Sequence, residues 1–121
     1  MQSKRVLFLD DSSIRARAFL REHPEAVWVK TAAQCVERLA EPWDEVHLDY
    51  DLGWGVRTDP EVEESGMGVV NWMVKHKPEH LRQTAFIVHS HSRNAAGHMV
   101  SELASAGYYA IRRPFEQASG D

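Results

Sequence analysis

Short apolar runs that stop on polar residues recur along this chain, separated by stretches with helical spacing. Arg5 to Leu9 (RVLFL) runs into Asp10 and Asp11, the pattern of a buried strand whose carboxyl end delivers acids to the surface. Ser12 or Ser13 then caps a helix to about Glu22, with Ile14, Ala18 and Phe19 on one side and His23-Pro24 ending it. Ala26 to Val29 (AVWV) reads as a second strand. Thr31 opens a second helix on which Ala32, Cys35, Val36, Leu39 and Ala40 form one apolar stripe. Gln34 stands three residues after Thr31, the spacing of a capping box.

The second half repeats the alternation. Glu45 to Leu48 is a third strand, and the segment His47 to Gly53 (HLDYDLG) again finishes on acids. From Trp54 to Ser65 the pattern lapses into a polar stretch with Gly55, Asp59-Pro60 and three glutamates, long enough for a functional loop, in which Trp54 could stack on a base but is expected to pack the loop down. Gly66 to Lys77 returns to helical spacing, with Val70, Met73 and Val74 on one face, Lys75 and Lys77 near its carbonyl end and Pro78 beyond. Ala85 to Val88 (AFIV) is a fourth strand that stops at His89-Ser90-His91-Ser92. Asn94 to Ala106 is a fourth helix, using Ala96, Met99 or Val100, Leu103 and Ala104, and Gly107 ends it. Tyr108 to Ile111 gives a fifth strand before Arg112-Arg113-Pro114-Phe115. Trp28, Trp43 and Trp72 are expected in the core or at its edge.

Five short strands alternating with amphipathic helices predict an α/β domain: a single doubly wound, five-stranded parallel sheet flanked by helices, because each right-handed crossover needs a helix to return the chain. Residues 1–116 form this domain and 117–121 a loose tail. Ligands of such sheets bind beyond the carboxyl ends of the strands. Those ends carry Asp10 and Asp11, Asp49 and Asp51, His89 and Ser90, and Arg113.

Composition narrows the picture further. With 121 residues, 43% of them hydrophobic, the chain suffices for one core and not for two domains. A net charge of -4, from 14 basic and 18 acidic residues, lacks the electrostatic footprint of a duplex nucleic-acid binder. The lone Cys35 makes neither an internal disulfide nor a Cys-based zinc site, and the absence of a signal-like or membrane-length apolar run gives the expectation of a cytoplasmic protein with no membrane partner. Glycines 53, 55, 66 and 68 match neither common nucleotide-phosphate spacing.

Gathered at one sheet edge, Asp10, Asp11 and Asp49 would repel one another and call for a compensating cation. Mg2+ held by these three carboxylates would also accept a phosphate oxygen, and Arg113 would offset further phosphoryl charge. Individually, Asp10 or Asp11 could instead cap the following helix. His89 is a candidate general acid or base, with Asp49 and Asp51 as its carboxylate partners in catalysis. His89, His91 and His98 together could take a transition metal, or His91 and His98 could simply be solvated. Ser90 could donate to a bound oxyanion, and Asn94 could add an amide donor or merely start its helix. Arg15 or Arg17, on the helix leaving the acidic pair, could point back to the site, although a solvated helix face is the first expectation for both.

From Val6 to Phe115 the order of these residues resembles a receiver domain of the response-regulator type, a flavodoxin-like fold. The resemblance implies Asp49 as phosphoacceptor, Mg2+ on Asp10 and Asp11, and a histidine kinase or another partner protein. Two positions depart from the receiver pattern: His89 stands where Ser or Thr is expected, and Arg113 replaces Lys. VLFLDD followed by Arg15, LDYDLG with Asp51, GMGVVNW and HSHSRN are more similar to the cyclic-phosphate processing receiver-like domains. That family implies action on a phosphorylated small molecule or nucleotide end. Three readings therefore stand: a metal-dependent enzyme acting on cyclic phosphates, a phospho-receiver, and a degenerate receiver serving only protein interaction.

Overall fold

The computed structural model describes residues 4–52 and 65–114. The loop around Trp54, Phe115 and the 117–121 tail lie outside the described residues. Strand β1 (Val6–Leu9) is followed by helix α1 (Ser13–Glu22), β2 (Val27–Val29), α2 (Ala32–Arg38), β3 (Glu45–Leu48), α3 (Gly66–His76), β4 (Ala85–Val88), α4 (Arg93–Ser105) and β5 (Tyr109–Arg112). A single 3-10 turn, Glu79–Leu81, precedes β4. All four strand pairings are parallel, in the order β2-β1-β3-β4-β5, which is the expected doubly wound sheet. No helix among the described residues is long and apolar enough to cross a membrane.

The two faces of the sheet are unequal. Leu7, Leu9, Val46, Leu48, Phe86 and Val88 point toward α2, α3 and α4 and share one large core with Cys35, Met73, Met99 and Leu103. On the other face Val6 and Phe8 pack with Ala16 and Phe19 of α1 in a smaller cluster. Period-2 alternation along β1 divides these two sets.

The helix ends explain several one-residue differences from the sequence reading. Ser12, Thr31, Ser65 and Ser92 each accept a backbone N–H in the first turn of α1 to α4. Because Ser92 is the cap, α4 begins at Arg93, one residue before the predicted start. Gln34 does not close the expected box with Thr31; its side-chain oxygen accepts from the amide of Lys30 instead, at 2.9 Å. Lys77 takes the left-handed conformation (φ 45°) that stops α3. Tyr108 belongs to the turn before β5, its amide donating to Leu103 and its hydroxyl to Pro78. The strand is therefore displaced by one residue from the expected Tyr108–Ile111.

Ile14 is the clearest error of the pattern. It is 80% exposed, while Ala16 and Phe19 are buried. Helical position explains this: Ile14 and Ala16 lie about 200° apart around the axis, and the inward side is fixed by contacts of Arg15 and Phe19 described below.

Gly66 lets α3 approach the end of β3. Its amide donates to the carbonyl of Tyr50 at 2.8 Å, and a Cβ there would overlap the carbonyl oxygen of Asp49 and crowd Met99. Gly97, on α4, has open space where its Cβ would lie. Gly66→Ala is expected to lower unfolding stability by about 2 kcal/mol or more, whereas Gly97→Ala should raise it by about 0.5–1 kcal/mol through helix propensity. Urea unfolding of the two variants checks the contrast.

Candidate functional site

Each site residue follows immediately on a strand, and the ladder continues far enough to hold its backbone. The amide of Asp10 donates to Val29, that of Asp49 to Leu9, that of His89 to Leu48 and that of Arg113 to Val88, at 2.8 to 3.2 Å. The strand order reverses direction at β1, leaving the crevice between β1 and β3 where such sheets bind ligands. Asp10 and Asp49 stand on either side of it, with His89 beside them. Single ligand atoms of Asp10, Asp49 and His89 can all lie within 4.8 Å of one another.

Asp10 is fully buried, and an ionised carboxylate there requires compensation on every side. It receives it. Arg15 donates to both oxygens, Nε to Oδ2 at 2.8 Å and Nη2 to Oδ1 at 2.9 Å, in the two-pronged geometry that suits a guanidinium. The Ser12 amide donates to Oδ1 at 2.8 Å, and His89 Nε2 lies 3.0 Å from Oδ2. Burial pulls the Asp10 carboxyl upward, but the hydrogen bonds from His89, Arg15 and Ser12 outweigh it and hold Asp10 below its ordinary value. An ionised Asp10 can only accept, so the proton in its bond to His89 resides on Nε2 and a neutral imidazole carries its lone pair on Nδ1.

Asp49 is in the opposite situation. It is also buried, yet its nearest cation, Arg15 Nη2, stands 3.5 Å away and is already committed to Asp10. Burial and the Asp10 charge push the Asp49 carboxyl up to about 6. Burial and Asp10 also raise Asp11. Two carboxyls shifted upward beside one held down mark an excess of negative charge on the cavity side of the crevice.

That cavity, about 410 Å³, is lined by Asp11, Arg15, Asp49, Tyr50, Asp51, His89, Ser90, His91 and Ser92. Ser90 is buried and its hydroxyl accepts from the Ser92 amide at 3.2 Å. Asn94 and Arg113 are exposed and do not line the cavity. Asn94 stands in the first turn of α4 because Ser92 has taken the capping position. Arg113 lies close enough to Lys4 to repel its charge. His98 is exposed on α4, so the three histidines do not gather; His89 joins Asp10 and Asp49 instead.

Arg15 takes the less expected of its two readings and points back to the site. A solvated face was expected, but the side chain turns inward to Asp10 because a buried carboxylate attracts the first cation the following helix can offer. Its position five residues after Asp10, one turn before the aromatic Phe19, is the signal that was available.

The donor set bears on the expected Mg2+. Both Asp10 oxygens are occupied by Arg15, His89 and the Ser12 amide. Asp49, Asp11 and the exposed Asp51 offer hard oxygens on the cavity side, and a divalent ion would relieve the charge that raises the first two.

Comparison with known proteins agrees with the fold. Residues 5–105 match the family described as Cyclic-phosphate processing Receiver domain. No curated protein matches the sequence. Among solved structures, a CheY-like response regulator receiver domain from Methylobacillus flagellatus superposes with a TM-score of 0.63 at 20% identity, over 98% of this chain and 92% of that one. A two component response regulator from Cytophaga hutchinsonii gives 0.64 at 12% identity, over 95% and 90%. A response regulator from Colwellia psychrerythraea gives 0.62 at 13% identity, over 95% and 88%. At these identities the structures share the fold.

Two stability measurements test the electrostatics. Arg15→Gln removes the partner of a buried carboxylate and should cost about 2–3 kcal/mol, reduced from the fully buried case because Arg15 is partly exposed. Arg17→Gln on the exposed side should stay within about 0.5 kcal/mol of the native chain. The sign for Asp49 is reversed: its folded-state value lies above that of the unfolded chain, so its ionisation penalises folding as pH rises from about 4 through about 6. Asp49→Asn should therefore stabilise the protein by about 1–2 kcal/mol at pH 7.5 in metal-free buffer, with the gain disappearing near pH 4. Thermal melts across that range check it.

Proposed function

This chain belongs to the cyclic-phosphate processing receiver domain family, and from that premise we propose that it binds a cyclic phosphate ester of a small molecule or nucleotide end and opens the ring by hydrolysis. The observation that carries this reading is the Asp10–His89 pair at the cavity wall, with Arg15 anchored beside it. A receiver that only stores a phosphoryl group on Asp49 has no need of a carboxylate-oriented imidazole. A hydrolase does.

In this reading Arg15 and the Ser90 hydroxyl bind the phosphate oxygens. Asp51, exposed at the strand end, takes a proton from the attacking water, while His89, whose Nδ1 is buried, acts through the Nε2–H that Asp10 orients, a donor for the phosphate oxygens as charge builds on them. The water oxygen bonds to phosphorus as the ring P–O bond breaks, and the departing oxygen recovers a proton from solvent at the cavity mouth. Asp49 and Asp11 would hold Mg2+, which supplies positive charge to the phosphate and so lets an anion enter an acidic cavity. Magnesium removal is expected to weaken substrate binding strongly.

A second reading rests on Asp49 itself, which follows β3 and lines the cavity of a receiver fold. There Asp49 would accept a phosphoryl group, a histidine kinase would be the upstream partner, and a partner protein would read the result.

One pair of assays separates the two. With Mg2+ and nucleoside 2',3'-cyclic phosphates, phosphorus NMR should report monoester formation, lowered by about 100-fold or more in His89→Gln and by a comparable factor in Arg15→Gln. Turnover unaffected by His89→Gln would remove the hydrolytic assignment. Acetyl phosphate with Mg2+ should leave the intact mass unchanged; a phosphoryl adduct that Asp49→Asn abolishes would instead favour the phospho-receiver.

A further inference from the structure

Four rings form a continuous stack running from the cavity to the outer end of α1. His89 lies on Phe8 with centroids 5.0 Å apart and planes 11° from parallel. Phe8 lies on Phe19 at 4.2 Å and 13°, and Phe19 lies on His23 at 4.4 Å and 25°. His47 closes the side of the column, edge-on to Phe19 at 4.8 Å and tilted against Phe8 at 6.3 Å. Phe8, Phe19, His47 and His89 are buried and His23 is exposed.

The sequence spacing makes this column and the charged site a single unit. On β1, Phe8 precedes Asp10 by two residues, so both side chains lie on the α1 face. On α1 and at its C-cap, Arg15, Phe19 and His23 recur every four residues and form one stripe. Arg15 meets Asp10 while Phe19 meets Phe8, two contacts in one helix-to-strand register. His89 touches both: its edge is bonded to Asp10 and its face rests on Phe8.

We propose that Phe8 and Phe19 are positioning residues for His89, the stacked column fixing the plane of the imidazole while the Asp10 carboxylate fixes its rotation within that plane. A hydrogen bond alone leaves the ring free to pivot about the Nε2–Oδ2 line. A flat aromatic surface beneath it removes that motion, and Phe19 backs Phe8 so that the surface cannot tip. His47 is pushed by burial down to about 4 and is therefore an uncharged side wall at neutral pH, its ring nitrogen bonded to Glu45 at 2.9 Å. Offset or parallel stacking of this kind also favours defined ring orientations over simple apolar filling.

The catalytic consequence rests on the hydrolytic reading given above; the orientation of the ring does not. The test therefore has two independent arms, using Phe8→Leu and Phe19→Leu, with Phe86→Leu as a control in the core on the opposite face. In the first arm, long-range proton–nitrogen NMR of the histidine rings, with His89 assigned through His89→Gln, should give a single Nε2–H tautomer and ring protons shifted upfield by Phe8 in the native chain. Phe8→Leu should move those protons downfield and mix the tautomer signals, Phe19→Leu should do so partially, and Phe86→Leu should leave them in place. In the second arm, Phe8→Leu should lower kcat on a cyclic phosphate by about tenfold or more with KM nearly unchanged, as expected when a reacting group loses its alignment. Should no cyclic phosphate turn over, the hydrolytic reading fails and the NMR arm alone decides the positioning. His89 signals in Phe8→Leu and Phe19→Leu indistinguishable from those of the native chain would overturn the proposal. A Phe8→Leu variant too unstable to fold leaves the decision to Phe19→Leu, which keeps the ring directly beneath His89.

Discussion

The buried carboxylate of Asp10 is the constraint around which the rest of this site is arranged. Placing an ionised acid at a fully buried position costs several kcal/mol unless every lone pair finds a donor, and here each oxygen finds two. One comes from the start of α1, two from the Arg15 guanidinium and one from a histidine 79 residues away. Satisfying Asp10 therefore joins β1, α1 and β4 at one point. The same helix orientation brings Phe19 onto Phe8, so the ion pair and the aromatic contact enforce a common register.

This arrangement changes what the cluster of acids means. Three carboxylates at one edge were expected to share a metal. Arg15 instead neutralises Asp10 from within the protein, and the remaining charge falls on Asp49 and Asp11, whose carboxyls are pushed upward. The site is thus divided into an anchored half, which orients His89, and an electrostatically unsatisfied half facing the cavity. Anion binding at the second half requires added positive charge, and hard oxygen donors there suit a magnesium ion.

Much of this was legible in the chain, for physical reasons that differ from residue to residue. The strands read clearly because parallel strands buried on both faces are almost wholly apolar, and their ends are marked by Asp10, Asp49 and His89, each one residue beyond the last strand position. The ladder then carries that regular spacing into space. Ile14 was misread because an apolar residue near a helix start counts as core in any periodic scheme, whereas the inward face of α1 is set by Arg15 and Phe19. The inward reading of Arg15 ranked second for the same reason: charged residues on a helix usually face water, and only knowledge that Asp10 is completely buried reverses the expectation. Arg113 and Asn94 illustrate the converse, since proximity to a strand end or helix start does not determine which way a long or solvated side chain turns.

The most direct test of this account is the titration of the two central carboxyls by carbon-detected NMR in metal-free buffer. Asp10 should remain ionised to below the ordinary carboxylate range, while Asp49 should titrate near 6. An Asp10 that titrates at or above its ordinary value, with Asp49 at or below its own, would contradict the assignment of Asp10 as the anchored acid and of Asp49 as the unsatisfied one.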